Sequence, residues 1–147
     1  MKKHKLLTGK TVSGETEIKV RFSEVDSMGI VWHGNYVKYL EDAREAFGKK
    51  YGISYMDIYK NHGFMIPLVK LDIDYKNQLF YEDEIIVKTT LHDSPAAKII
   101  FTYEMYRKSD KQLILTAETV QVFMNKNREL ELNMPDFFKI WKEKYLK

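Results

Sequence analysis

Cysteine is absent from the 147 residues, and proline occurs only three times. Without cysteine there are no disulfides, thiolate nucleophiles or cysteine-ligated metals. With so few prolines, and no Pro/Gly-rich stretch, nothing reads as an interdomain linker, and the length is that of one compact domain. Long hydrophobic runs are also missing, so no segment could span a bilayer. In the opening MKKHKLLTGK, Leu6 and Leu7 are followed at once by Thr8, Gly9 and Lys10. That is too short an apolar run for a secretory signal, and the expectation is a cytoplasmic protein without membrane insertion.

A strong charge imbalance is lacking too. Net charge is +3, with 24 basic and 21 acidic residues. The first ten residues contain four lysines and no acid, so the remainder holds 20 basic against 21 acidic side chains. The basic excess sits in one terminal stretch, not on a domain-wide face, which argues against nucleic acid as a partner. Residues 1–14 are expected as a flexible basic tail and residues 15–147 as a single domain. What the chain does have is apolar material: 44% hydrophobic residues, with ten tyrosines and eight phenylalanines.

Periodicity places the elements. TEIKVRF (16–22) alternates, with Ile18, Val20 and Phe22 on one face, as in a half-buried strand. From about His33 to Tyr51, Tyr36, Leu40, Ala43, Phe47 and Tyr51 fall on one helical stripe that ends at Gly52. Ser54 and Asp57 suggest a capping box opening a short helix that stops at Gly63. Four strand-like runs follow at 69–76, 84–92, 98–108 and 112–125, and their short turns suggest an antiparallel meander. Pro135 then opens a terminal helix carrying Phe137, Phe138, Trp141 and Tyr145. The long helix can bury its broad stripe only if the sheet curls around it, which makes an α+β domain.

The segment EVDSMGIVWHGNY (24–36) lies between the first strand and the long helix. Phe22, Asp26, Gly29, Ile30, Val31, His33, Gly34, Asn35 and Tyr36 together resemble the signature of the 4-hydroxybenzoyl-CoA thioesterase family of hotdog-fold proteins. YLEDAREAF after it, and Ile66-Pro67-Leu68-Val69 before the second strand, fit the same family, over roughly residues 15 to 130. The resemblance implies a hotdog fold: a curved five-stranded antiparallel sheet wrapped around one long central helix, with an extra C-terminal helix. It also implies a homodimer joined edge to edge, often paired into tetramers, with active sites at the dimer interface. The implied activity is hydrolysis of acyl-CoA thioesters to free acid and CoA. No cofactor is expected, since coenzyme A enters as part of the substrate.

Thioester hydrolysis needs an attacking group and stabilisation of an oxyanion. A helix N-terminus offers free N–H groups and partial positive charge. The N–H groups of His33, Gly34 and Asn35 are therefore the oxyanion candidates, and Gly34 has no side chain to obstruct a thioester. Asp26 also suits a plain turn or capping role, which Asp favours. The resemblance carries the catalytic acid onto Asp26, as nucleophile or as general base toward water. The His33 ring could position water, or matter only through its backbone. Asn35 fits a helix-entry cap, Gly29 a backbone requirement of the turn, and Glu24 a solvated acid pointing away. Glu41, Asp42, Arg44 and Glu45 form a charged helix face.

Trp32, Phe64, Met65 and Ile66 are candidates for the acyl pocket. Lys98 is the one basic side chain in HDSPAAK, the turn where relatives often hold the nucleotide. Since the arginine cluster of some members is missing, an acyl-carrier protein is an alternative substrate carrier. His4, His33, His62 and His92 show no ligand spacing, and no metal is expected. Two rival classes are a hotdog hydroxyacyl dehydratase or hydratase, whose Phe/Pro-rich histidine loop is missing, and a non-catalytic acyl-CoA-binding module.

Overall fold

The computed structural model describes residues 7–146. In chain order it contains β1 (Thr11–Lys19), a 3-10 turn (Phe22–Glu24), α1 (Asn35–Tyr51), α2 (Tyr55–His62), β2 (Leu68–Tyr75), β3 (Glu84–His92), β4 (Lys98–Arg107), β5 (Leu113–Met124), β6 (Leu130–Glu131) and α3 (Asp136–Tyr145). All strand pairs are antiparallel. The order across the sheet is β1-β3-β4-β5-β2, with the two-residue β6 beside β5.

This order corrects the expected meander. Of the four strands expected in it, only β3, β4 and β5 are joined as consecutive neighbours. β2 pairs with β5 at the far edge, and β1 takes the place beside β3. The physical reason lies in the connections. Residues 93–97 and 108–112 are tight hairpin links, whereas residues 76–83 are long enough to cross from one side of the sheet to the other.

Strand periodicity determines the core. Ile85, Val87, Thr89 and Leu91 of β3, and Ile99, Phe101, Tyr103 and Met105 of β4, are all buried. They face Tyr36, Tyr39, Leu40, Ala43 and Phe47 of α1, which are buried in the same cluster. The edge-to-face contact of Phe47 with Phe101, centroids 5.1 Å apart, is typical of this interior. α1 begins at Asn35 rather than His33 and ends at Gly52, whose φ of 75° provides the left-handed cap. The Ser54 capping box of α2 is present, with Asp57 N donating to Ser54 Oγ at 3.2 Å and Ser54 N to Asp57 Oδ2 at 3.3 Å. α3 closes one end of the core through Phe138 and Trp141, and the Trp141 indole N–H donates to the Tyr51 carbonyl at 2.7 Å.

Two local expectations change. β1 starts at Thr11, inside the stretch expected as a tail, and Thr8 and Lys10 are hydrogen-bonded to Asp93. Residues 1–6 of that stretch lie outside the described residues. Phe22 is not on the buried face: β1 ends at Lys19, the chain turns into the 3-10 segment, and Phe22 is 75% exposed. The turn breaks the alternation that otherwise places Phe22 with Ile18 and Val20.

Candidate active site

The segment between β1 and α1 is a small hairpin. Val25 bridges Val31, Asp26 N donates to the Ile30 carbonyl at 2.9 Å, and Gly29 N donates to the Asp26 carbonyl at 3.0 Å. Gly29 has a φ of 74°, the left-handed conformation this turn requires. The second loop, residues 76–83, supports the hairpin from outside. Val31 N donates to the Leu79 carbonyl, Tyr81 N to the Gly29 carbonyl, and Ile30 bridges Phe80. Arg107 anchors that loop in turn, with its guanidinium on Asp83 at 3.1 Å and on the Gln78 carbonyl. Sequence reading did not single out Arg107. Its only sequence signal is an arginine at the end of a strand.

Asp26 is at the exposed tip. Its Oδ1 accepts from Met28 N at 2.8 Å and Ile30 N at 3.3 Å, an Asx turn that fixes the carboxylate on the loop. The turn role weighed for Asp26 is thus present, and it orients the carboxylate. Phe22, Met28, Trp32, Phe80 and Tyr81, on this segment and its supporting loop, are exposed large hydrophobic side chains.

At the start of α1 no side chain caps the helix. Asn35 N donates to the Trp32 carbonyl at 2.9 Å and Tyr36 N to the His33 carbonyl at 3.3 Å. Among the described residues, the N–H groups of His33 and Gly34 have no acceptor. Two of the three expected amides are therefore open, and the third is used by the turn. The Asn35 side chain does not cap the helix either: its Nδ2 donates to the Glu24 carbonyl at 2.9 Å. The space over Gly34 is occupied. A Cβ there would lie 2.1 Å from Trp32 Cζ3, so any larger residue would displace the indole from its present place. The exposed His33 ring packs on the same indole, centroids 5.0 Å apart.

Glu24 reverses its expected place. It is 7% exposed, and its carboxylate accepts from Arg21 N at 2.8 Å and from the Tyr39 hydroxyl at 2.9 Å. Burial, then the Glu24 carboxylate beside it, pushes the Tyr39 phenol above its ordinary range. Arg44 also leaves the expected charged face, since its guanidinium reaches the buried Tyr103 hydroxyl at 3.4 Å.

The other candidates lie elsewhere in the same chain. Phe64 packs on Phe123 and Phe137, Met65 bridges Met124, and the Ile66 carbonyl accepts from Gln121. They gather by the end of β5 and the start of β2, where Ile66, Gly48, Ile53 and Phe101 line a groove of ≈330 Å³. Lys98 is exposed at the first position of β4, opposite Val122. Asp26 and Trp32 belong to the opposite end of α1, whose 17 residues span about 25 Å. One chain thus carries Asp26, Trp32 and the His33 and Gly34 amides on the single segment between β1 and α1, and leaves Phe64, Met65, Ile66 and Lys98 at the other end of the helix.

An antiparallel sheet packed on one long helix, entered through the Asp26 hairpin, defines a hotdog-fold protein. Known proteins narrow the class. The family model described as the thioesterase-like superfamily matches residues 20–141. A Bacillus subtilis protein named "Putative acyl-CoA thioesterase YneP" is 32% identical over 131 residues, 89% of this chain and 94% of that protein. The crystal structure of a DHNA-CoA thioesterase from Staphylococcus aureus superposes with a TM-score of 0.78 at 28% identity, covering 89% of each chain. The 4-hydroxybenzoyl CoA thioesterase of Pseudomonas sp. strain CBS-3 shares the fold, with a TM-score of 0.76 at 21% identity over 90% of this chain and 99% of that one. The chain belongs to the thioesterase-like superfamily and is a hydrolase of thioesters. Among the described residues, no helix is long and apolar enough to cross a membrane.

Proposed function

We propose that the protein hydrolyses acyl-CoA thioesters, with Asp26 as nucleophile or general base and the amides at the start of α1 polarising the thioester carbonyl. The observation that carries this reading is the pairing of a fixed, exposed carboxylate with open N–H groups on one hairpin. Asp26 is oriented by Met28 N and Ile30 N, while His33 and Gly34 N–H have no acceptor among the described residues. A carboxylate attack would give a mixed anhydride and release CoA thiolate, and water would then free the acid. A general-base route would deprotonate water instead. In both routes negative charge grows on the thioester oxygen, where helix-terminal amides stabilise it most.

In this reading the acyl pocket is completed by a second copy. β2 is a sheet edge. Antiparallel pairing of two β2 edges about a two-fold axis exchanges their ends. Phe64, Met65, Ile66 and Lys98 of one copy then approach the Asp26 hairpin of the other. The exposed apolar side chains Leu68, Val69, Leu71 and Tyr75 along β2 support such a homodimer. Lys98 would meet the nucleotide end of coenzyme A, and no resident cofactor is involved.

The experiment is thiol release from a panel of alkanoyl- and aroyl-CoA esters, wild type against Asp26→Asn. The reading expects turnover of some panel members and a loss of about 100-fold or more in kcat for Asp26→Asn. A wild type inactive on the whole panel ends the acyl-CoA assignment, and a fully active Asp26→Asn ends the role of Asp26.

A further inference from the structure

Glu24 is a buried carboxylate that the proposed chemistry does not use. It lies two residues before Asp26, at the base of a hairpin whose tip residues Asp26, Ser27 and Met28 are exposed. Its hydrogen bonds run to both ends of the loop. The carboxylate accepts from Arg21 N at 2.8 Å and Arg21 Nη2 at 3.3 Å, at the end of the first strand. It also accepts from the Tyr39 hydroxyl at 2.9 Å, one turn into α1. The Glu24 carbonyl accepts from Trp32 N at 3.0 Å and Asn35 Nδ2 at 2.9 Å, at the start of the same helix. One residue therefore joins the strand end, the acid-bearing arm of the hairpin and the helix terminus. Tyr39 is itself 1% exposed, so its hydroxyl is a fixed point.

Burying a carboxylate is a poor route to stability, because desolvation offsets most of what its bonds return. Such a group makes better sense where geometry must be held. The geometry held here is the offset between Asp26 and the His33 and Gly34 amides. Those are the two halves that a thioester carbonyl must meet together, and small displacements of such groups lower rates steeply.

We propose that Glu24, through Tyr39, is a positioning residue that fixes the Asp26 hairpin against the N-terminus of α1. The inference rests on the acyl-CoA hydrolase reading above. It acts on the chemical step and not on substrate affinity, so it separates kcat from KM. It also acts through Asp26, so its effect vanishes once Asp26 is disabled.

The test uses benzoyl-CoA and hexanoyl-CoA with Glu24→Ala, Glu24→Gln and Tyr39→Phe, each also combined with Asp26→Asn. Melting temperature is recorded for every variant. Glu24→Ala should lower kcat by about 10- to 100-fold with KM within about twofold. Glu24→Gln keeps an acceptor oxygen for Arg21 N and Tyr39, and should recover most of that loss. Tyr39→Phe should fall between them, and it carries the test if Glu24→Ala does not fold. In the Asp26→Asn background, none of the three should add a further loss. An unchanged kcat in Glu24→Ala and Tyr39→Phe overturns the inference and leaves the function standing. So does a loss of equal factor in both backgrounds, which would mark a purely structural group. A fully active Asp26→Asn overturns the role of Asp26 and this inference together.

Discussion

The indole of Trp32 lies so close over Gly34 that a side chain there would begin 2.1 Å from Cζ3 and 2.5 Å from Cη2. The contact joins the residue before the helix to the residue that enters it, beside the two open amides. Trp32 is 56% exposed, so its ring can swing away at little cost to the fold. Gly34→Ala should therefore shift the melting temperature by only a few degrees, in keeping with less than about 1 kcal/mol. It should nonetheless lower kcat/KM by about tenfold, because the indole is displaced over the amides. With Trp141→Phe as background, Trp32 is the sole remaining tryptophan, since the chain has two. Its emission should shift to the red in Gly34→Ala. An unshifted emission would show that the ring has not moved.

Gly48 makes a harder contact. A Cβ there would lie 2.6 Å from Ser54 Cα and 3.0 Å from Ser54 N, both backbone atoms. Gly48 also accepts from Ile53 N at 2.8 Å, as α1 folds back toward α2. Alanine gains up to about 1 kcal/mol of helix propensity over glycine. Forcing two backbones apart costs about 1–3 kcal/mol or more. Gly48→Ala should therefore destabilise the protein, as a lower urea midpoint at unchanged m-value.

These two glycines show what a sequence read by period can and cannot reach. Period-2 alternation found the buried faces of β3 and β4, because each strand lies between two neighbours with one side on α1. The Ser54 cap and the stops at Gly52 and Gly63 were legible because their bonds close within a few residues. Glu24 is buried against the expectation of a solvated acid. Its burial depends on Tyr39, fifteen positions on, and on a 3-10 turn that breaks the strand alternation. Asp26 emerged through a motif, while its Asx turn shows why an acid is stable at that tip. The placement of β2 beside β5 and of β1 beside β3 was invisible to local reasoning, since it depends on where the long 76–83 loop crosses. Gly34 and Gly48 owe their identity to what packs against them, which no spacing reveals.

The ion pair of Asp93 with Lys142 gives stability a defined pH dependence. Lys142 Nζ lies 2.6 Å from Asp93 Oδ1, and the Thr8 hydroxyl donates to Asp93 Oδ2 at 2.8 Å. Burial alone would raise the Asp93 pKa. The Lys142 ammonium and the Thr8 hydroxyl outweigh it and hold the carboxyl below its ordinary value. A carboxyl with a depressed folded pKa stabilises the protein above its unfolded pKa of about 3.9. That contribution is lost as pH falls through the folded value. Asp93→Asn should cost about 1–3 kcal/mol at neutral pH, between the exposed and fully buried cases. The gap in melting temperature between wild type and variant should be widest near neutrality and close in acid below about pH 4. A gap that stays constant across this range would mean that Asp93 contributes by packing alone.

Among the described residues β2 pairs only with β5, and Leu68, Val69, Leu71 and Tyr75 remain exposed along it. Lys70 is turned to Glu118 at 2.9 Å, so that charge is already engaged and does not guard the edge. Asp72 and Asp74 are exposed on the same strand, but four exposed apolar side chains along an edge still make a surface for pairing, in the proposed reading with a second copy. Sedimentation velocity should show a dimer, and Val69→Lys with Leu71→Lys should shift it toward monomer. Because Phe64, Met65 and Ile66 would reach the Asp26 hairpin only across that interface, thiol release should fall with the dimer fraction. Raising the variant's concentration should restore both together. A stable monomer with full activity would sink the shared site and require that each chain build its acyl pocket alone.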